Sequence, residues 1–522
     1  MSESPKTYFD LNDADGLNES ERILSRLCKK SFLKPWAYSN VFTDEGHRNG
    51  KGNTKELCDA LVIFGDDVLV FSDKCSAYQV HKDTALAWQR WYNRTVIDSY
   101  PQLFGAASWI RQFPWRAFLD PKCTRKLPVQ LPAGENVRIH LIVVTRGSKE
   151  ACKAYWGEEK SHGTLRLNTL IRGDEQHIKN PFVVGHPAPD KGFIHVFDEV
   201  GIELLLEELD TARDFIDYLK AREQLLHLPK CDVSAAGEEQ LMAAYIRSTA
   251  VRGIPSFLSP AAENEGYDYK VFAGEFYAGL ANSPEYKQKK ADDEISYRWD
   301  DLISRFVQLS DPELGLPDLK TGSIDAEISF RYLAAESRFR RRLLSETLWG
   351  AIETAAEEGY RRFARMIGGE PEERLPAYIF VLMPKLDGES ENDYRDRRRA
   401  YLLAYCRVAR LHSPDDTVFI GIGMDHPCKP YTGGSLDLAV FESEAWNETT
   451  IADAKKLAEE FGLWGPNARF WGRHATEYTY SRDEVTSSTS DVSAARKKRN
   501  AQETKRKRVK KMKSKSQKRN RN

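Results

Sequence analysis

Residues 55–79, KELCDALVIFGDDVLVFSDKCSAYQ, set charged side chains around two apolar runs. Glu56 and Asp59 stand at the head of the first run, Ser72, Asp73 and Lys74 close the second, and Gln79 follows shortly after. Carboxylate oxygens hold a hard cation such as Mg²⁺ or Mn²⁺ beside a phosphate. A lysine ammonium positions or activates the attacking water and offsets charge on the phosphoryl group. Brought together, these residue types support metal-assisted cleavage of a phosphodiester.

The elements that must position them are two strands. Leu57–Phe64 and Val68–Ser72 are short, rich in Val, Ile and Phe, and joined by Gly65-Asp66-Asp67, which reads as a hairpin turn and nothing more. Asp59 precedes Lys74 by 15 residues, a hairpin's length, so both belong at one end of the pair. Side chains alternate along a strand, so the residue sharing the face of Lys74 is Ser72, and Asp73 is expected to point the other way. Three arrangements follow. A bulge at Ser72 turns Asp73 into the site, Glu56 supplies the missing ligand, or the site is degenerate and inactive.

This order of residues resembles the PD-(D/E)xK nuclease superfamily. Its core carries an acid on the first helix, an Asp opening one strand, an acid-x-Lys on the next and often a Gln soon after. The resemblance implies a restriction-endonuclease-like mixed sheet flanked by helices. It implies that Asp59, with Glu56 or Asp73, holds Mg²⁺ (or Mn²⁺), that Lys74 assists the nucleophilic water and that Gln79 orients it. The activity implied is a metal-dependent nuclease acting on DNA or RNA, as in bacterial restriction and phage defence. The alternative is a catalytically inactive nuclease-like module that binds nucleic acid or protein, with Ser72 marking the lost chemistry. The likeness spans residues 18–228, but its specific motif lies within 55–79.

Around the motif, Asn18 reads as the N-cap of a helix over ESERILSRLCKK, and 36–53 reads as a polar loop. Residues 82–112 predict helices with Trp88 and Trp91 in the core and Arg90 and Arg94 on a solvated face. Strands follow at 135–145, where His140 is a core histidine, and at 192–200, before one helix to about Leu226. Beyond Leu228-Pro229-Lys230 the pattern predicts helices, the longest over 328–366, with Arg338 and Arg340–Arg342 in intrahelical pairs. An α/β section then runs from Ala377 to about 463. Asp425 and Asp437 stand at its strand ends without an assigned role, and HPCKPYTGG (426–434) lacks the spacing of a P-loop.

At 522 residues the chain is too long for one ordinary core. The organisation expected is an unstructured 1–17, an α/β unit over 18–228, a helical then α/β accessory unit over 229–480, and a basic tail over 481–522. The net charge of -1 conceals an asymmetry: 496–521 holds 15 Lys or Arg against Glu503, so the tail carries +14 and the body about -15. Such a tail cannot build a core and suits salt-sensitive, sequence-blind contact with DNA or RNA phosphates. Eight cysteines without a CxxC pair point to buried thiols, Cys58 and Cys75 flanking the strands. No apolar run is long enough to span a bilayer, which favours a cytoplasmic protein with no membrane partner. Oligomerisation stays open.

Overall fold

The computed structural model describes residues 16–48, 54–157, 161–228, 231–252, 257, 269–272, 274–308, 323–359, 361–369, 375–428, 435–443, 446–464 and 477. The basic tail and positions 429–434 of the glycine loop lie outside the described residues.

Helix α1 (Glu19–Phe32) starts where expected. Asn18 accepts the Glu21 N–H, acids fill the first turn and Lys29 and Lys30 the last, and Leu24, Cys28 and Phe32 are buried. The segment expected to be a loop contains strand β1 (Ala37–Thr43) and the short helix α2 (Glu45–Arg48). A polar sequence can be a buried strand here because each polar group finds a partner. Ser39 meets Ser25 (2.6 Å), Thr43 donates to the Lys55 carbonyl (3.3 Å), and Asn40 reaches two carboxylates. The hairpin follows as β2 (Lys55–Phe64) and β3 (Asp67–Cys75), with Gly65 at φ 62° in the turn.

Helix α3 (Thr84–Thr95), capped by Asp83, and α4 (Tyr100–Gln112) bury Trp88, Trp91, Leu103 and Ile110 against the sheet. Then come β4 (Ala117–Phe118), β5 (Arg138–Arg146), α5 (Lys149–Trp156), β6 (Arg166–Arg172), α6 (Gly173–Lys179), β7 (Val183–His186) and β8 (His195–Asp198). The single helix expected to reach Leu226 is two, α7 (Glu199–Glu208) and α8 (Ala212–Leu226), because Thr211 accepts the Asp214 N–H and starts a new one.

The six-stranded sheet has the order β4-β1-β2-β3-β5-β8. The neighbours from β4 to β3 are antiparallel, and β3, β5 and β8 are mutually parallel. Ser72 contacts Gln102 on α4, whereas Asp73 meets Arg146, which reaches Glu203 on α7. Helices α4 and α7 therefore cover opposite faces.

Past residues 228–230, β9 (Asp232–Ala235) pairs with β6 and, through β10 (Tyr269–Phe272), completes the sheet β10-β9-β6-β7; helix α9 (Glu238–Arg252) lies between them in sequence. Helices α10 (Phe276–Asn282), α11 (Pro284–Asp293) and α12 (Tyr297–Gln308) follow. The long helix expected over 328–366 is α13 (Ser323–Ala334), α14 (Arg338–Glu358) and strand β11 (Phe363–Ile367), the break falling where Ser337 caps α14. Arg338, Arg341 and Arg342 are buried and pair across elements with Asp210, Asp300 and Asp293, in place of pairs within the helix. Buried pairs of this kind are weak evidence for stability, because desolvation offsets their attraction.

The last sheet, β11-β12-β13-β14, contains β12 (Ala377–Met383), β13 (Val418–Asp425) and β14 (Leu436–Glu442), with α15 (Glu391–Ala409) and α16 (Glu448–Phe461) packed on each other. One apolar cluster extends from Leu24 on α1 to Leu438 on β14.

Candidate functional site

The site forms where the hairpin opens. The β2–β3 ladder runs from Phe64/Asp67 to Ala60/Phe71 and stops there. Beyond it, Asp59 Oδ2 accepts the Asp73 backbone N–H (2.6 Å), Oδ1 accepts from Gln102 Nε2 (3.2 Å), and Lys74 Nζ lies 3.8 Å from Oδ2. Asp59 is buried, while Lys74 keeps a third of its side chain exposed.

Strand β3 carries no bulge at Ser72. Its register with β5 is unbroken from Asp67↔Arg138 to Cys75↔Arg146. Ser72 therefore shares the face of Asp59 and Lys74. Its hydroxyl donates to Gln102 Oε1 (2.9 Å), which turns the Gln102 amide nitrogen toward Asp59. Asp73 points to the other face, where both carboxylate oxygens take Arg146 Nε at 3.0 Å. Burial pushes the Asp73 carboxyl up to about 6 against the pull of Arg146. Asp73 is thus removed from the expected metal set by strand alternation alone.

Glu56, half-buried on β2, accepts from Asn40 Nδ2 (3.1 Å), and the same nitrogen donates to Glu21 on α1 (3.2 Å). Asn40 sits at φ 50°, next to the register shift between Val41 and Phe42; asparagine tolerates that conformation better than most residues. Glu21, in the capped first turn of α1, is thus joined to this group through Asn40, a link with no local spacing to show it in sequence. Burial raises the carboxyl pKa of both Asp59 and Glu56. Lys74 pulls both down and Glu21 pushes both up. The buried Asn40 Oδ1 has no hydrogen-bond partner. Oxygen donors of this kind suit a hard divalent cation, but among the described residues Glu21, Glu56 and Asp59 do not bring their oxygens within 4.8 Å of one another.

Among the described residues no hydrogen bond joins the Gln79 Oε1 to this group. Gln79 follows β3 in the segment leading to α3, and that oxygen is buried without a hydrogen-bond partner. Gln102 fills the corresponding place, 43 residues from Asp59 in sequence and so invisible to local spacing.

The opposite end of the sheet is also polar. Asp67 is more than a turn residue: it opens β3, is 6% exposed, and meets Arg138 (2.8 Å), His140 Nε2 (2.9 Å) and Lys220 (3.0 Å). Burial opposes its ionisation, but these three partners hold it well below the usual carboxylate range. Beyond His140 lie His195 on β8 and Glu223 on α8. One nitrogen of each ring and a Glu223 oxygen fall within 4.8 Å of one another, a triad able to hold a metal ion. Burial, then Arg222, keeps His195 well below the usual histidine pKa. The Phe193 ring stands edge-on to His195 (4.8 Å) and also lines a cavity of about 520 Å³ with Arg172, His186 and His227.

Asp425 and Asp437 are accounted for structurally. Each takes a 2.6 Å bond from the fully buried guanidinium of Arg398, and Tyr394 and Ser435 complete the network. Arg90 and Arg94 are exposed on α3.

Among the described residues no helix is long and apolar enough to cross a membrane. No protein family, curated protein or solved structure matches this chain.

Proposed function

We propose that the N-terminal α/β unit is a metal-dependent nuclease of the PD-(D/E)xK kind, cleaving DNA or RNA with Mg²⁺ or Mn²⁺ held by Asp59, Glu56 and Glu21. The observation that carries this reading is the 3.8 Å approach of Lys74 to Asp59 at the open end of the hairpin, with Glu56 beside it and Glu21 joined through Asn40. The order of parts supports it: an acid on the first helix, an Asp on one strand and x-Lys on the next. A bound divalent ion would polarise the phosphate and acidify a water at the scissile bond.

The chain's own residues do the rest. Lys74 presents a partly exposed ammonium to the phosphoryl group and offsets charge that builds in the transition state. The Asp73 amide and Gln102 fix the Asp59 carboxylate, and Ser72 fixes Gln102. The basic tail would raise the local concentration of polynucleotide.

One observation favours the inactive module. Ser72 occupies the position of the family's second acid, is fully buried, and has its hydroxyl engaged within the fold.

The test uses the intact chain and one lacking 481–522, incubated with plasmid, single-stranded DNA and RNA in Mg²⁺ or Mn²⁺. The nuclease reading expects metal-dependent cleavage that Asp59→Ala abolishes and Lys74→Ala lowers by about 10²–10³-fold. Tail-dependent, salt-sensitive binding without cleavage would favour the inactive module.

A further inference from the structure

The triad at the far end of the sheet differs in kind from the proposed cleavage site, and its donors explain each other only if something joins them. We propose that His140, His195 and Glu223 form a binding site for a first-row divalent transition metal, Zn²⁺ foremost, which pins α8 to the starts of β5 and β8.

Two imidazoles and one carboxylate are the donor set of three-ligand zinc sites, which keep a fourth position open, and they are poorly matched to Mg²⁺ or Ca²⁺. The ligand atoms already converge within 4.8 Å. A core histidine normally has its ring nitrogens satisfied. His140 has one of its two engaged: Asp67 takes its Nε2–H (2.9 Å), which leaves the Nδ1 lone pair for a metal, the carboxylate–histidine arrangement that orients metal ligands.

His195 is 1% exposed, and its Nε2 has no partner. An orphaned buried polar atom asks for an explanation, and it lies in the residue that completes the triad.

Arg222 can only donate, so its 3.3 Å contact with His195 Nδ1 puts the ring proton on Nε2 in the metal-free protein. With a metal on Nε2 the proton moves to Nδ1 and the long Arg222 contact gives way. Arg222 keeps Glu238 through bonds of 2.9 and 3.1 Å. The ring stays neutral in both states. Of the charged neighbours, Arg138 and Lys220 face Asp67, and Arg222 faces Glu238. The site does not depend on the nuclease reading, because its residues lie at the opposite end of the strands.

The full chain, stripped with a chelator, is titrated with Zn²⁺ by calorimetry and with Co²⁺ by visible absorption. One ion per chain is expected, with a Co²⁺ ligand-field band and a higher melting temperature on loading. His195→Ala and Glu223→Gln should each weaken binding at least tenfold and remove the band. Glu223 is partly exposed, so Glu223→Gln keeps the test open if His195→Ala fails to fold. Asp59→Ala should bind Zn²⁺ as the wild type does. Zn²⁺ binding of equal strength in the wild type and Glu223→Gln, or no stoichiometric binding at all, would overturn the assignment.

Discussion

The six-stranded sheet ends in polar groups twice, and the two ends are made of different atoms. Where β3 finishes the donors are oxygens, Asp59 beside Lys74 and Glu21 and Glu56 joined through Asn40. Where β3 begins, His140 and His195 offer nitrogen beside Glu223. At roughly 3.3 Å per residue, Asp67 and Lys74 stand about 20 Å apart along one strand. The difference teaches how topology selects a site. An antiparallel turn delivers the start of β2 to the end of β3, so a nearby acid meets a nearby lysine. Parallel pairing sets the starts of β3 and β5 side by side and the start of β8 against the middle of β5, so residues far apart in sequence meet.

The largest expected effect is a double dissociation. Asp59→Ala should abolish Mg²⁺-dependent cleavage, a loss of about a thousandfold or more, and leave Zn²⁺ affinity unchanged. His195→Ala should do the reverse. Rates and titrations on the same preparations check both, and a variant that removed both properties would dissolve the distinction between the ends.

Next in size is Lys74→Ala, which should lower the cleavage rate by about 10²–10³-fold, as expected for one electrostatic contact to the transition state. Single-turnover kinetics at saturating metal measure it. An unchanged rate would detach the ammonium from the chemistry.

This asymmetry also governs what could be read in advance. Asp59, Glu56 and Lys74 are joined by one hairpin, and their meeting follows from alternation and a short turn. The helix of Asn18 and the strands at 57–64, 68–72 and 135–145 carry their periodicity openly. Ser39, Asn40 and Thr43 made β1 look like a loop, because propensity does not register that α1 and β2 satisfy their side chains. Gln102 displaced Gln79 through the docking of α4, a contact with no local signature. His140 was legible only as a core residue, since its partner His195 is brought alongside by a parallel crossover of more than 50 residues. Asp73 was left undecided between the faces, and the unbulged register of β3 turned it to Arg146.

A smaller effect separates the ends by pH. Burial raises the Asp59 and Glu56 pKa values, so cleavage should fall on acidification at a pH above the ordinary carboxylate range. Stability runs the other way. A carboxyl whose folded pKa is raised favours folding while protonated, and that contribution disappears as pH rises through the folded pKa. Metal-free wild type should therefore lose stability relative to Glu56→Gln as pH rises across that window, and Mg²⁺ should restore it. Melting curves of the two proteins at stepped pH, with and without Mg²⁺, read the sign. A difference that grew in the opposite direction would contradict the burial assigned to Glu56.

The smallest effect is Ser72→Ala. Losing the bond to Gln102 should cost about 1 kcal/mol of stability and leave Zn²⁺ binding untouched. Cleavage should drop by no more than about tenfold, because Gln102 and the Asp73 amide both remain. Denaturant unfolding and the plasmid assay check it, and a complete loss of cleavage would give Ser72 a more direct part in the reaction.

The most direct test of the account is anomalous diffraction from crystals of the full chain soaked with Mn²⁺ and Zn²⁺ together, with data at both absorption edges. The account predicts Mn²⁺ beside Asp59 and Glu56 and Zn²⁺ between His140, His195 and Glu223. Both metals at one end, or neither within coordination distance of these residues, would contradict it.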